Sequence, residues 1–545
     1  MKTPAGMLSR LFSEHPVRLP HLRPYVPEAG DPPIYWFNSE RDDIVREVVD
    51  RVVEKHTHDR TRLEQALNDA ALSEIRRLLG QRDAETSESL GYWRGLIRRI
   101  ARMTDVEKRE SLHKTTTHMV NDIAGNFDPR VYRFAKRVLP KLLTGVMQPS
   151  RLPKDLADPF GSYVDSLLTI EGEVELLRHL EKKGTLVYVP THSSNLDSIV
   201  LGYALERGGL SPVIYGAGKN LFTNPIISFF MHNLGAYRVD RRIQAQLYKD
   251  ALKTYAGVMV ERGYHSLFFP GGTRSRSAML ESHLKLGLMG SAVEAFSRNR
   301  ARGIDRPVWF VPTTINYALV LEAETLIEDW LMEEGRARYI IEDDEFSQID
   351  RWYAFFRKLV GLQSVCVIRF GRPVDPFGNS VDDEGRSRTP QGREIDPASY
   401  VSRRGKPSVD AARDAAYTRE LGELLVERYR EETVLMATQI VAHVLFRRLV
   451  RNTPGLDLFA RLRLRGEVAI PRTELVREVG ELRDHLVEME RAGMVHVSPF
   501  VREKSPEEMV ERVLDVWNGY HSRVAARDLG TEITAEDPTL LLYYQ

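Results

Sequence analysis

Apolar and polar residues follow two different periods along this chain of 545 residues, and the period changes near Gly184. In the first 150 residues, apolar positions recur about every 3.6 residues, with charged residues on the opposite face of the implied helix. The clearest example is the segment RDDIVREVVDRVVEK, whose apolar positions are Ile44, Val45, Val48, Val49, Val52 and Val53. This period predicts a helical N-terminal region over residues 1–150.

Short runs rich in β-branched and aromatic residues follow Gly184 and alternate with longer, helix-like segments. The runs are TLVYV, PVIYGA, HSLFFP, PVWFVPTTINY and SVCVIRF. Strands that alternate with helices predict an α/β fold with a mostly parallel, buried sheet flanked by helices. We assign this fold to residues 151–372. The loops at one edge of such a sheet are where functional groups collect.

The rest of the chain divides at a change in composition. Residues 373–410 are polar and rich in turn-forming residues, which predicts a long loop or an insertion. Residues 411–545 return to helical periodicity and predict a helical C-terminal region.

The composition narrows the possible partners and the compartment. Basic and acidic residues number 77 each, so the net charge is zero and no nucleic-acid partner is expected. Cys366 is the only cysteine, which excludes a disulfide within the chain, and its apolar surroundings favour core packing over a reactive thiol. We find no signal peptide and no run of the ~18 apolar residues that a membrane span needs. Any membrane contact is therefore expected to be peripheral.

The first candidate for chemistry is the segment VPTHSSNLDS, which begins within the run TLVYV. It places His192 after a predicted strand and Asp197 at the start of the next helix. A carboxylate that binds an imidazole holds the ring in one tautomer and raises its basicity, so the pair could remove a proton from a hydroxyl. The alternative is a capped helix start that happens to contain a histidine, because Ser, Asn and Asp are common capping residues.

A second segment, GAYRVDRR, is suited to binding an anion. It places Arg238, Arg241 and Arg242 at the end of a predicted strand. Guanidinium groups bind phosphate through paired, charge-assisted hydrogen bonds. A solvated strand end is the alternative interpretation.

A third segment, LFFPGGTRSRS, is also suited to an anion. Its apolar strand breaks at two glycines, which let the backbone approach a ligand closely. Successive backbone N–H groups with an adjacent arginine form an anion-binding concavity. An ordinary glycine turn is the alternative.

The fourth segment, VWFVPTTINY, has its break at Pro312, and a core strand is its simplest interpretation. Other chemistries lack their motifs. The sequence contains no phosphate-binding G-x-x-x-x-G-K-[ST] loop, no G-x-S-x-G serine motif and no H-E-x-x-H or clustered Cys/His pattern. We therefore expect no metal and no cofactor.

Taken together, the four segments resemble the four motifs of the glycerolipid acyltransferase superfamily in order and spacing. His192 and Asp197 match H-x-x-x-x-D, residues 235–241 match a glycine-led block that ends in arginine, FPGGTRS resembles F-P-E-G-T-R-S, and VPTTI matches V-P-x-x-I. The resemblance covers about residues 184–370 and implies an acyltransferase-type α/β domain. The large bacterial membrane-associated glycerol-3-phosphate acyltransferases look most similar, since TRSRS and PTTINYALVLE, with Tyr317 and Glu322, are like their motifs.

The resemblance implies phospholipid synthesis by transfer of a fatty acyl group from an acyl thioester to the hydroxyl of glycerol 3-phosphate. The donor would be acyl-CoA or acyl carrier protein. His192 would be the general base, with Asp197 orienting its ring. The acceptor phosphate would be bound by Arg241, Gly272, Thr273, Arg274 and Ser275. Secondary candidates, near or within the motifs, are Lys219, Arg238, Arg242, Arg276 and Pro312.

One residue departs from the family pattern, since Gly271 occupies the position of the third motif's glutamate. That carboxylate is implicated in the family in shaping the site and holding the acceptor. Its loss leaves three alternatives: a changed acceptor (lysophosphatidate or dihydroxyacetone phosphate), another acid that substitutes, or a catalytically silent lipid-binding homologue. The expected location is the cytoplasmic side of the inner membrane, bound peripherally. Candidate contact surfaces are residues 221–230 and 434–446, with ordinary core helix as the alternative.

Overall fold

The computed structural model describes residues 25–79, 84–147, 167–222, 225–272, 274–320, 322–334 and 366–545. Of the predicted site residues, Thr273 lies outside this set.

The N-terminal region is helical in its described part, as its periodicity predicts. Its helices are Phe37–Thr57, Arg60–Leu78, Ala84–Ile100, Asp105–Ile123 and Pro129–Met147. The apolar positions of the first helix are buried, with Ile44, Val48 and Val52 fully inaccessible to solvent. Thr104 and Glu107 form a reciprocal capping box that fixes where the fourth helix begins. These helices share one apolar cluster with the helix Gln246–Glu261, so the region packs directly on the α/β layer.

The central sheet has seven strands, and the prediction of a mostly parallel α/β fold is confirmed. Its strands are β1 (Leu168–Gly172), β2 (Thr185–Pro190), β3 (Ile214–Gly218), β4 (Ala236–Val239), β5 (Ser266–Leu267), β6 (Val308–Tyr317) and β7 (Cys366–Phe370). They lie in the order β1-β7-β6-β2-β5-β3-β4, and every neighbouring pair is parallel except β6 and β7. The carboxyl ends of β2 to β6 therefore meet at one edge.

Helices cover both faces of this sheet. They are Val174–Leu180, Asp197–Arg207, Pro225–Asn233, Gln246–Glu261, Leu286–Ala301 and Ala323–Glu334. Leu186 and Tyr188 of β2 belong to the same apolar cluster as the helix Asp197–Arg207. Val187 and Val189 point the other way and pack with the helix Leu286–Ala301. All six residues of β2 are buried, which explains its continuous apolar sequence.

The segment 373–410, predicted as a loop or insertion, contains small ordered elements. They are the strands Ser380–Val381, Ser387–Arg388, Glu394–Ile395, Ser402–Arg403 and Lys406–Pro407 and the helix Ala398–Val401. Val374 and Phe310 exchange two backbone hydrogen bonds, at 2.8 and 2.9 Å, which fasten the segment to β6. The domain boundaries drawn from the sequence stay predictions.

The C-terminal region is mainly helical, as predicted. Its helices are Ala411–Glu432, Ala437–Asn452, Leu458–Arg461, Arg472–Arg491, Pro499–Glu503, Pro506–Tyr520 and Pro538–Tyr544. Three short strands, Ala469–Pro471, Ala526–Asp528 and Glu532–Ala535, form an antiparallel sheet, and Val434–Leu435 pairs with His496–Val497.

Residues 434–446 do not form a membrane-contact surface, which was one of the two interpretations of their sequence. The apolar residues of the helix Ala437–Asn452, among them Val441, Leu445 and Leu449, are buried in the largest apolar cluster. The alternative interpretation, an ordinary core helix, is the correct one. In the described part of the chain, no helix combines the length and the apolarity that crossing a membrane requires.

Candidate active site

His192 and Asp197 form a direct pair at the carboxyl end of β2. The Nδ1 atom of His192 lies 2.7 Å from Oδ2 of Asp197, and the carboxylate is fully buried. Because Nδ1 donates to the carboxylate, the neutral ring carries its lone pair on Nε2. The imidazole stacks on Phe269, with ring centroids 4.2 Å apart, and its side chain keeps 15% of its exposure. The ring is thus held in one orientation with an edge that solvent or a substrate can reach.

The loop before the helix Asp197–Arg207 explains why the capping and catalytic interpretations are compatible. Oδ2 of Asp197 also accepts hydrogen bonds from the backbone N–H groups of Ser193, at 2.7 Å, and Ser194, at 3.0 Å. Its Oδ1 accepts one from the Tyr317 hydroxyl at 2.7 Å. One carboxylate therefore fastens the turn and orients His192 at the same time.

A second buried carboxylate, Glu322, connects this turn to the third motif. It accepts hydrogen bonds from the Ser194 hydroxyl at 2.9 Å and the Asn195 backbone N–H at 3.0 Å. Nη1 of Arg274 lies 3.2 Å from Oε1 of Glu322. Burial raises the pKa of Glu322 above its ordinary value, although Arg274 opposes that shift. Glu322 thus positions Arg274 near the His192–Asp197 pair.

The glycine loop of the third motif contacts the backbone of His192. The Ser275 N–H donates to the His192 carbonyl at 2.7 Å, and the Ser275 hydroxyl donates to the Met279 carbonyl at 2.7 Å. Gly272 has a φ of +77°, which favours glycine, and a Cβ there would collide with the side chain of Lys285. The loop therefore depends on glycine for its backbone conformation and for the approach of a lysine.

Lys285 is a basic residue of this site that the sequence motifs did not indicate. Burial lowers the pKa of Lys285, and the nearby Arg241 lowers it further. It is also the N-cap of the helix Leu286–Ala301, where a positive charge opposes the helix dipole. A bound anion would offset both the repulsion from Arg241 and the unfavourable helix dipole. A lysine at a predicted helix start was therefore the one signal in the sequence that could have indicated Lys285 as an anion-binding residue.

Three of the secondary candidates are paired with carboxylates of the chain itself. Lys219 and Arg238 lie 3.1 and 3.4 Å from the carboxylate of Asp122, on the helix Asp105–Ile123. Burial alone would raise the pKa of Asp122, but the two cations bring it below its ordinary value. Arg242 pairs with Asp240 at 3.2 Å, and its side chain is 68% exposed.

The remaining two secondary candidates have different surroundings. Arg276 lies two residues after Arg274 in the same loop. Pro312 is part of β6, opposite Val189, and its carbonyl accepts from the Gly371 N–H at 2.8 Å. This hydrogen bond belongs to the sheet. Among the described residues there is also no group of three or more His, Cys, Asp or Glu that could hold a metal ion.

A parallel sheet whose strand ends carry a paired histidine and aspartate, with arginines and a glycine loop beside them, is the arrangement of an acyltransferase domain. The acyltransferase family model matches residues 171–316, and all four motifs lie within this range. This match and the four motifs together support a relationship between the segment and the glycerolipid acyltransferase superfamily.

Individual relatives carry more specific names. The glycerol-3-phosphate acyltransferase of Pseudomonas aeruginosa is 32% identical over 155 residues, which are 28% of this chain and 18% of that protein. The protein of the same name from Aeromonas hydrophila is 34% identical over 160 residues, covering 29% and 19%. The matched part therefore spans less than a fifth of these relatives. A solved 1-acyl-sn-glycerophosphate acyltransferase from Thermotoga maritima is 16% identical, with a TM-score of 0.25 over 55% of this chain and 82% of that one.

Proposed function

We propose that this protein transfers a fatty acyl group from an acyl thioester to the hydroxyl of glycerol 3-phosphate. The observation that carries the proposal is the His192–Asp197 pair, whose reachable imidazole lies beside a loop that contributes Arg274 and Lys285. The relatives' names point to the same acceptor. The proposed acyl donor is a thioester of either CoA or acyl carrier protein.

The proposed reaction needs no enzyme-bound acyl group. Nε2 of His192 takes the proton of the acceptor hydroxyl while the oxygen of that hydroxyl attacks the carbonyl carbon of the thioester. The carbon–sulfur bond then breaks, and the imidazolium returns the proton to the leaving thiolate. Asp197 holds the ring in place and stabilises the imidazolium between the two transfers.

The acceptor phosphate is proposed to bind to Arg241, Arg274, Lys285 and the backbone N–H groups around Gly272. Arg241 and Lys285 are close enough that one lowers the pKa of the other, and a phosphate between them would remove that repulsion. A bound phosphate also fixes the hydroxyl relative to His192, and such positioning accounts for several kcal/mol of a barrier, up to about 7–11 in the best cases.

The first experiment measures transfer from palmitoyl-CoA to glycerol 3-phosphate by the wild type and by His192→Ala. Loss of the general base should lower kcat roughly 100- to 10,000-fold. Near-normal turnover by the variant would end the proposal. The free thiol released from CoA should match the amount of acylated product, because a thioesterase would release thiol without product.

The acceptor and donor are decided by a substrate panel. Glycerol 3-phosphate, dihydroxyacetone phosphate and lysophosphatidate are each assayed with acyl-CoA and with acyl carrier protein as donors. A kcat/KM at least tenfold higher with glycerol 3-phosphate is expected. A preference for lysophosphatidate would make that compound the proposed acceptor. No turnover with any combination of acceptor and donor would favour a catalytically silent homologue. Arg274→Ala should mainly raise the KM for the phosphate acceptor, and an unchanged KM would remove its phosphate role.

Peripheral membrane contact is part of the proposal, and one helix face supports it. The helix Pro129–Met147 contains five lysines and arginines and no acidic residue. Phe134 and Val138 are 55% and 36% exposed, and Arg133 and Arg137 lie exposed beside them. Phe134 also stacks on Phe230, within the predicted segment 221–230. Adjacent rows of apolar and basic residues suit the surface of an anionic membrane.

Flotation with lipid vesicles tests this contact. Binding is expected to phosphatidylcholine vesicles that contain phosphatidylglycerol, and to be weaker without it. Arg137→Glu should weaken binding at least about fivefold, because each basic residue near an anionic surface contributes about 1 kcal/mol. The matched control is Arg109→Glu, an exposed arginine on the helix Asp105–Ile123. Equal effects of the two variants would rule out this helix face as the contact.

A further inference from the structure

A carboxylate outside the four motifs contacts the candidate general base. Glu281 lies between the glycine loop and the helix Leu286–Ala301, and its Oε1 accepts a hydrogen bond from the backbone N–H of His192 at 3.1 Å. The carbonyl of the same histidine accepts from Ser275 at 2.7 Å. The backbone of His192 is thus held on both sides by the segment that contains the third motif.

The same carboxylate occupies the space beside Gly271. A Cβ built on Gly271 would lie 2.8 Å from Oε1 and 2.9 Å from Cγ of Glu281, closer than atoms in contact can come. The φ of Gly271 is not in the left-handed region, so its backbone does not require glycine. A side chain at position 271 would therefore require Glu281 to move, and the two positions depend on each other.

The surroundings of Glu281 are those of a group within the site. Burial raises the pKa of this carboxyl above its ordinary value, His192 lowers it, and Asp197 raises it again. His192 and Asp197 are therefore both close enough to act on it. Its Oε1 atom is committed to the backbone N–H of His192.

We propose that Glu281 is a positioning residue for His192, and that it fills the space a side chain on residue 271 would otherwise take. The inference rests on the proposed acyl transfer for its kinetic consequences, but its geometric content does not. It answers the question that Gly271 raised, because an acid from elsewhere in the chain occupies that part of the site. A one-residue loss in the third motif is then no sign of a silent homologue.

The test is a cycle of variants at the two positions. Glu281→Ala should lower kcat about 10- to 100-fold with little change in KM, because a misplaced base costs rate rather than acceptor binding. Glu281→Gln should retain most activity, since an amide oxygen still accepts from the His192 N–H. Gly271→Glu alone should be impaired by the clash. Gly271→Glu with Glu281→Ala should be more active than either single variant, because the new side chain enters the vacated space.

Two outcomes would overturn the proposal. One is a Glu281→Gln variant as poor as Glu281→Ala, and the other is a double variant no better than the worse single variant. Ser282→Ala, a change at the next residue, which is exposed, should behave like the wild type and shows that the segment tolerates substitution. Melting temperatures identify any variant that fails to fold.

A readout independent of activity separates this proposal from the proposed function. The imidazole resonances of His192, assigned by their loss in His192→Ala, should change in Glu281→Ala and remain nearly unchanged in Glu281→Gln. Melting temperatures should show the same coupling between positions 271 and 281 as the kinetics. If the wild type transfers no acyl group but these signals behave as described, the function is wrong and the positioning stands. Unchanged resonances in Glu281→Ala would refute the positioning.

Discussion

Replacing Asp197 by asparagine separates the orientation of His192 from the charge beside it. Oδ2 of Asp197 receives three donors, from His192, Ser193 and Ser194, and Oδ1 receives the Tyr317 hydroxyl. An asparagine can keep its oxygen at the Oδ2 position and present its NH2 to Tyr317, whose hydroxyl can rotate to accept. The ring then stays in place, while the negative charge that stabilises the imidazolium is lost.

The size of the effect follows from the geometry. The charges of the Asp197 carboxylate and the His192 imidazolium lie about 4 Å apart, and at an effective dielectric constant of about 20 they attract each other by about 4 kcal/mol. This value is an upper bound, because one edge of the imidazole ring is exposed to solvent. Since 1.36 kcal/mol is a factor of ten in rate, Asp197→Asn should lower kcat about 100- to 1000-fold. The KM for the acceptor should stay the same, because the phosphate site is untouched. Asp197→Ala is a poorer test, since it leaves four donors without an acceptor, two of them buried at a cost of about 1–3 kcal/mol each.

The assay is steady-state acyl transfer at saturating acyl-CoA with varied glycerol 3-phosphate, alongside melting temperatures. Tyr317→Phe is the matched control, because it removes one hydrogen bond to Asp197 and leaves the charge; its kcat should stay within about tenfold of the wild type. If Asp197→Asn keeps kcat within threefold of the wild type, the carboxylate does not stabilise an imidazolium. The assignment of His192 as the general base would then be refuted.

Three further predictions concern the phosphate site, the sheet and the C-terminal helix. Lys285→Met should raise the KM for the phosphate acceptor about tenfold or more and slightly raise the melting temperature, since it removes a charge that opposes a helix dipole. The control is Lys249→Met, a change at an exposed lysine of the helix Gln246–Glu261. Burial lowers the pKa of His265 to about 4, so the unfolded chain takes up its proton first as the pH falls below about 6.5. His265 should therefore contribute a loss of roughly 2 kcal/mol of stability between pH 7.5 and 5 in chemical unfolding, and His265→Gln should reduce the total loss by about that amount. Tyr544→Phe should lower both the melting temperature and kcat/KM, because its hydroxyl binds the Val320 N–H beside Glu322; an unchanged kcat/KM would show that this contact does not reach the site.

The strands that the sequence predicts well are those whose residues are buried on both faces. β2 and the first half of β6 read as continuous apolar runs because helices cover both sides of the sheet centre. β1, at one edge of the sheet, has a mostly half-buried pattern, and none of the predicted runs included it. β5 is only two residues long, although HSLFFP predicts more, because the chain leaves the ladder towards the glycine loop after Leu267. Burial decides how clearly a strand shows in the sequence.

In the candidate site, contacts between residues close in the sequence could be predicted, whereas contacts between residues far apart could not. His192 and Asp197 are five residues apart on one turn, so their pairing follows from a strand followed by a helix. The partner of Lys219 and Arg238 does not, because Asp122 lies 97 and 116 residues away and only the packing of the N-terminal helices brings it close. Basic character alone therefore made both residues candidates. Glu281 was missed for the same reason, since nothing local links a glutamate to a histidine 89 residues earlier.

The regions outside the matched segment take part in holding the strand ends that carry the site. From the N-terminal region, Asp122 binds Lys219 and Arg238, which lie at or just after the carboxyl ends of β3 and β4. From the C-terminal region, the Tyr429 hydroxyl donates to the Val189 carbonyl, at 2.9 Å, three residues before His192.

The Tyr544 hydroxyl accepts from the Val320 N–H at 3.2 Å, next to the turn that carries Glu322. Each of the two tyrosine contacts satisfies a polar group that would otherwise be buried without a partner, at a cost of about 1–3 kcal/mol. The relatives named above match 155 and 160 residues of this chain, yet here contacts from both terminal regions help to hold the strand ends that carry the motifs. We therefore interpret the N- and C-terminal regions as parts of the scaffold that holds the candidate site rather than as independent appendages.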